Sequence, residues 1–296
     1  MQDGISVVML KSIEIDTITA KSLILMIPLK YTEPFVRAWR HRELIRAVAR
    51  REYLSRYSGS VLGWIWAVLA PLIVLGTYTT LFYLTVPELR NGLSVSDYAG
   101  SIFIGLIIFN LFSELGYRAP VLLHEHVNFV KRSIFPSETI AWTAGIRAFI
   151  YSGISFGVFI VFRLVTTGHL PWTLVLTPLV ILPFALFMLG VTWFLMALGA
   201  FTRDVAHVMA SIVPLLMFAT PVFYRFEYIA GISKIVAFLM RINLIGDYVE
   251  MMRDLAFDGR LPNMFLYFFT VGASYLVFIG GYRFFMRYKS VIVDVI

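Results

Sequence analysis

Two stretches of this sequence, Tyr57–Pro87 and Leu170–Thr202, contain no Asp, Glu, Lys or Arg. A charge-free run well beyond about 20 apolar residues is long enough to cross a bilayer as a helix. Inside hydrocarbon every backbone N–H and C=O must find a partner within the protein, which leaves helices or a closed barrel. Runs of this length are far too long for barrel strands, so the chain is read as all-α. Composition agrees: 59% of residues are hydrophobic and 15% charged, against about 45–50% and about 25% in soluble domains. The chain is too short for many spans and a large soluble domain together, so most of it is the membrane part.

Four further segments complete the set. Tyr98–Ser113 is charge-free but short, so this span is expected to run past Glu114 or to tilt. Thr139–Phe162 carries only Arg147, Val208–Tyr224 holds Pro214 and Pro221, and Leu261–Tyr282 is charge-free. Six spans put both termini on one side. The basic segments fall together there: the N-terminal region, the connection with Arg118, Lys131 and Arg132, the turn with Arg203, and the end with Arg287 and Lys289. The opposite connections are poorer in cations, and Arg225–Arg260 balances five basic against five acidic residues. The positive-inside rule assigns the basic side, with both termini, to the cytoplasm. Ser22–Lys30 is too short to span and has no cleavage site after it, so the first 30 residues read as a cytoplasmic lead.

Two segments are neither spans nor plain loops. Glu33–Tyr57 has no Gly, carries Pro34 where a helix can start, and repeats Arg42, Arg46 and Arg50 at every fourth residue. Phe35, Trp39, Ile45 and Val48 give it a looser apolar side. This pattern predicts an amphipathic helix in the cytoplasmic interface, meeting anionic lipid or a cytoplasmic partner. Tyr224–Pro262 places Leu244, Tyr248, Met251, Met252 and Leu255 at helical spacing, with Asp247, Glu250, Arg253 and Asp254 between them. It reads as two short re-entrant helices in the outer leaflet between spans five and six; a surface cap is the alternative. Arg147 lies about two turns into span three. Snorkelling to the cytoplasmic interface is its simpler reading, and a conduit wall the other.

Several chemistries are missing from the sequence. There is no GxxxxGK[ST] phosphate loop, no HExxH and no cysteine. The span cores hold no Asp or Glu, which argues against an ion-coupled carrier. His124 and His126 flank Glu125, but two residues apart on a helix they face different directions, so no metal site is expected. Aromatic residues are abundant. Trp64 and Trp66 suit an interfacial belt. Tyr78, Phe82, Tyr83, Phe109 and Phe112 belong either to belts or to a sugar-conducting path, where pyranose faces stack on rings.

"SRYSGSVLGWIWAVLAPL" resembles the R-Y-x-x-S-x-L-G-x-x-W-x-x-x-x-P opening of span one in ABC-2 type polysaccharide-export permeases, the membrane subunits of O-antigen and teichoic acid exporters. Here the pattern falls on Arg56, Tyr57, Ser60, Leu62, Gly63, Trp66 and Pro71. "FVKRSIFPSETIAW" is similar to the family's K-K-x-x-F-P segment, and "FTRDVAHVMASIVPLLMFATPVFY" to its F-x-R-D turn and following span. "INLIGDYVEMMRDLAFDG" matches its fourth motif, except that the usual Asn-Pro is Asn243-Leu244 here. The resemblance covers about Pro34 to the C-terminus.

What the resemblance implies is a half-transporter. A second copy of the chain would complete the conduit. Two copies of a separate ATPase subunit would carry ATP and Mg, with no cofactor on this chain. Arg42, Arg46, Arg50 and Arg51, the coupling segment with His124, Glu125 and His126, and the Arg203–Asp204 turn would face that ATPase. Arg56, Lys131 and Arg132 are the candidates for the diphosphate of a polyprenyl-diphosphate-linked glycan. Asn243, Asp247 and Arg253 would belong to the outer gate. The implied organisation is a lead at 1–33, an interface helix at 34–57, a six-span domain at 58–283 with gate helices at about 225–261, and a tail at 284–296. The implied location is the bacterial cytoplasmic (inner) membrane, with lipid as a neighbour and no nucleic acid as a partner. An ABC-2 exporter of another cargo (capsule polymer, teichoic acid, lipid or drug), a polyprenyl-lipid membrane enzyme and a membrane scaffold are the competing readings.

Overall fold

The computed structural model describes residues 31–55, 59–85, 94–131, 135–226, 231 and 240–296. The lead at 1–30, Arg56, Tyr57 and Arg132 lie outside the described residues. All regular structure among the described residues is helical. Contacts divide the chain into Met1–Leu44 and Ile45–Ile296. In the first unit, residues 31–40 are helical, Glu33 pairs with Arg37 at 2.8 Å, and the Arg42 guanidinium lies 5.1 Å from the Trp39 ring. Trp39 is itself 71% exposed and Phe35 is exposed too.

Helix α1 is Arg42–Ser55. A short turn at Gly63–Ile65 leads into α2, Trp66–Thr85. Helix α3, Val95–Arg118, continues as short helical turns at Ala119–Val121, Leu122–Glu125 and Val127–Val130. Then follow α4 (Thr139–Thr167), α5 (Thr177–Phe201), α6 (Asp204–Ala219), α7 (Leu244–Arg253) and α8 (Met264–Val295). Among the described residues, five segments are long and apolar enough to cross a membrane: Trp66–Leu84, Val95–Glu125, Thr139–Thr167, Trp172–Phe201 and Met264–Val295. The expected fifth span is α6, which is apolar but only 16 residues long. Of the two helices expected between spans five and six, α7 is described; the other would fall within 227–239, most of which lies outside the described residues.

Helix α3 is the centre of the second unit. Nearly every residue from Tyr98 to Phe112 is buried, because α2, α4, α5, α6 and α7 all pack on it. A helix that is apolar all round has no solvated face, and this position uses all of it. By contrast the outward faces of α2 and α4 remain uncovered, with Leu72, Ile73, Leu81, Val161 and Val165 exposed.

The longest pairing is α5 against α8. It is set by Gly190 and Gly281, where an added methyl group would overlap the facing backbone of Val277–Phe278 and of Gly190 respectively. Small residues that let two backbones touch are the usual basis of helix association in lipid. Trp193 fills the adjoining space against Trp142, Phe278 and Tyr282 and donates from Nε1 to the Glu138 carbonyl at 3.0 Å. Glu138, also buried, pairs with Lys289 of α8. Helix α8 runs unbroken to Val295, through the residues expected to form the tail.

Candidate functional site

Helix α1 turns Ile45, Ala49 and Glu52 inward, at the spacing of one helix face, and leaves Arg42, Arg46, Arg50 and Arg51 exposed. Glu52 is the acid on that inner face, and three elements converge on it. Its carboxylate accepts from Arg147 Nη1 of α4 at 2.9 Å and from His126 Nε2, just past α3, at 2.9 Å. Arg118 of α3 stands 4.0 Å away and also pairs with Glu125. Arg147 Nη2 lies 3.5 Å from Glu114 of α3. With side chains 5% and 13% exposed, Arg147 and Glu52 are a largely desolvated pair. Their separation costs far more than that of a surface pair.

His126 also engages the Leu122 carbonyl through Nδ1 at 2.9 Å. The Glu52 hydrogen bond raises the imidazole's pKa above its ordinary value; burial opposes the shift without cancelling it, and the neighbouring carboxylates add to it. His124 turns elsewhere, with Nε2 at 3.2 Å from the Gly199 carbonyl. The two histidines diverge as their spacing predicts, and no metal-binding cluster occurs among the described residues.

Beside this network is a cavity of about 730 Å³ between α1, α2, α3 and α4. Glu52, Glu114, Arg118 and Arg147 form its charged side, and Asn110, Ser113, Ser152 and Ser155 add amide and hydroxyl groups. Trp66, Ala67, Ala70, Pro71 and Val74 of α2 supply an apolar wall. Arg147 thus faces the protein interior rather than snorkelling outward.

The other sequence candidates fall into three places. Lys131, Glu125, Arg203 and Asp204 are exposed, and Arg51 lies over the Phe129 ring at 5.6 Å. The aromatic candidates pack on one another and on the core. Phe109 and Phe112 are buried, Phe82 stacks on Phe223 at 4.5 Å, Tyr78 lies 4.8 Å from Phe223, and Tyr83 lies 6.2 Å from Tyr98.

Asn243, Asp247 and Arg253 lie together on α7. Asn243 accepts from the Ile245 N–H and donates to Thr220 Oγ1 at 2.8 Å. An N-cap side chain therefore sets the start of this helix. Arg253, fully buried, donates to the carbonyls of Ser101, Pro221, Val222 and Tyr224 and to Glu250, tying α7 to α3 and to the end of α6. Burial raises the pKa of Asp247 to about 6, against the opposing pull of Arg241 at 3.4 Å.

Sequence reasoning missed Glu52, Glu114, Arg163 and Glu138 as interior partners. Arg163, read as ending span three, is buried, bonds Asp97 at 3.0 Å and lies over the Phe257 ring at 4.4 Å, so α4 continues past it. The available signal for Glu52 was its register: three residues after Ala49 and seven after Ile45, it shares their face.

Compared with known proteins, the chain matches the family described as ABC-2 type transporter over residues 43–257. It is 24% identical over 225 residues to the O-antigen export system permease protein RfbA of Myxococcus xanthus, covering 76% of this chain and 84% of that protein. A Klebsiella pneumoniae protein of the same name is 22% identical over 221 residues, covering 74% of this chain and 82% of its own length. A second one from that organism is 19% identical over 240 residues, with 80% and 89% covered.

Proposed function

The chain belongs to the ABC-2 type transporter family, and on that basis we propose that it is the membrane subunit of an ATP-driven exporter of a lipid-linked, O-antigen-like polysaccharide. The observation that carries the cargo reading is that three relatives named as O-antigen export permeases align over 74% to 80% of the chain. In this reading α2, α3, α4, α5, α6 and α8 are the six spans, with both termini in the cytoplasm and the protein in the inner membrane. Helix α6, with 16 residues, rises about 24 Å. A span that short is accommodated by local thinning of the bilayer.

Two copies of the chain form the conduit, and two copies of an ATPase subunit dock on the cytoplasmic side. Arg46, Arg50 and Arg51 are the docking surface on α1, with Glu125, Arg203 and Asp204 as further contacts. Motion of the ATPase pair then moves α1 as a rigid body. Glu52 carries that motion to α4 through Arg147 and to the end of α3 through His126. The buried carboxylate–guanidinium pair suits this task, because pulling the two groups apart would leave an uncompensated buried charge. Lys131 attracts the diphosphate of the incoming lipid-linked glycan. Helix α7, held by Arg253, closes the outer end.

The test is surface glycan in cells lacking the native gene. The intact chain restores the polymer, and the paired changes Arg46→Glu and Arg50→Glu abolish it while the protein still reaches the membrane. Restored export of a lipid or drug with no change in glycan would instead assign another cargo.

A further inference from the structure

We infer that the cavity between α1, α2, α3 and α4 is a binding site for neutral pyranose units of the exported glycan, rather than for its diphosphate. This rests on the polysaccharide reading above and adds the chemistry of one subsite to it. The cavity, about 730 Å³, falls within the roughly 300–1,000 Å³ of small-molecule pockets. Its charge balance decides the ligand class. Glu52 and Glu114 on its wall match Arg118 and Arg147, and a phosphate approaching either guanidinium meets a carboxylate already 2.9 to 4.0 Å away. An anion gains nothing net there, whereas a hydroxyl group donates to the carboxylates and accepts from the guanidinium groups at once.

The remaining wall suits a polyol too. Asn110 and Ser152 make no side-chain hydrogen bond among the described residues, and Arg147 Nε, buried, has no hydrogen-bond partner there either. Across from them the Trp66, Pro71 and Val74 wall offers apolar surface to the C–H face of a sugar ring. A pocket with convergent polar groups on one side and apolar surface on the other orients an amphipathic ring. Admission of successive sugars here, beside the Glu52–Arg147 pair, would place glycan against the groups that link α1 to α4.

The sequence has no cysteine, so Ser152→Cys gives a single thiol inside the cavity with little change in volume. The full chain carrying it, in lipid nanodiscs, is reacted with a water-soluble methanethiosulfonate. Reactions are run alone, with each of the neutral disaccharides maltose, lactose and cellobiose, and with inorganic pyrophosphate at equal ionic strength. The inference expects at least one disaccharide to slow the reaction several-fold and pyrophosphate to leave it unchanged. Adding Asn110→Ala should weaken that protection by up to about tenfold in concentration, the worth of one hydrogen bond. Protection by pyrophosphate alone, or by none of the four probes, overturns it.

A second variant, Ser152→Trp, fills the cavity and is tested for glycan export in cells. Lost export with intact membrane insertion is expected. Normal export by this variant, with export still abolished by Arg46→Glu and Arg50→Glu, overturns the cavity site and leaves the transporter reading standing. No glycan export by the intact chain overturns that reading instead.

Discussion

Replacing Glu52 with Gln removes one charge from a pair whose side chains are 5% and 13% exposed. Breaking a buried ion pair on one side costs about 3–5 kcal/mol, because the remaining charge is left without a counterion. Arg147 keeps Glu114 at 3.5 Å, so the expected loss for Glu52→Gln is at the low end, about 3 kcal/mol. The double variant Glu52→Gln/Arg147→Met removes both charges, and replacing a buried pair with neutral groups is often close to neutral. Its loss should fall short of the sum of the two single losses by about 2 kcal/mol or more, although His126 and Glu114 each still lose a partner. The assay is equilibrium unfolding of the parent, both single variants and the double variant in the same detergent. The double variant should fold and reach the membrane yet export poorly, since α1 is no longer tied to α4. A single-variant loss below about 0.5 kcal/mol, the worth of an exposed pair, or strictly additive losses, would refute the buried-node argument.

Further outcomes follow from other parts of the structure. His126 has a raised pKa through Glu52, so the folded state holds its proton longer than the unfolded one. Its stabilisation is complete below the ordinary imidazole value of about 6.5 and is lost as pH rises through the higher folded value. Melting temperatures measured from pH 6 to 9 should fall across that window, and His126→Gln should flatten the fall. Asp247, raised from 3.8 to about 6, works in the opposite sense to a salt-bridged acid. Stability falls as pH rises between those two values, and Asp247→Asn should stabilise the protein at pH 7 by up to about 3 kcal/mol, measured by unfolding at pH 4 and 7. Gly281→Ala drives a methyl group into the Gly190 backbone, whereas Gly272→Ala meets nothing within 4 Å. Size-exclusion profiles should show the first aggregated or absent and the second like the parent.

Much of the membrane part was legible because burial in lipid imposes one rule on every span. Four charge-free runs and one carrying only Arg147 located the five long helices, and alternating basic and neutral connections suggested their orientation. Their ends were less legible, because charged residues there are buried in protein. Span two was expected to run past Glu114 or to tilt, and α3 does run on to Arg118, with Glu114 and Arg118 joining the Glu52–Arg147 network. Span three was read as stopping before Arg163, which instead pairs with Asp97 inside the protein. Of the two readings of Arg147, snorkelling fails for the same reason: its partner, Glu52, lies 95 residues away on a helix whose basic stripe drew attention to the opposite face. Period and composition describe which face is apolar. They do not report which distant charge completes a pair.

The proposed function is that of a permease working with a separate ATPase through the exposed face of α1. The most direct measurement is the native mass of the tagged chain, co-expressed with the ATPase encoded beside it and purified in lipid nanodiscs. The expected result is a complex of two permease and two ATPase chains that loses the ATPase when Arg46 and Arg50 are both changed to Glu. Recovery of the intact chain without any ATPase under the same gentle conditions, or an unchanged complex in the double variant, would contradict it.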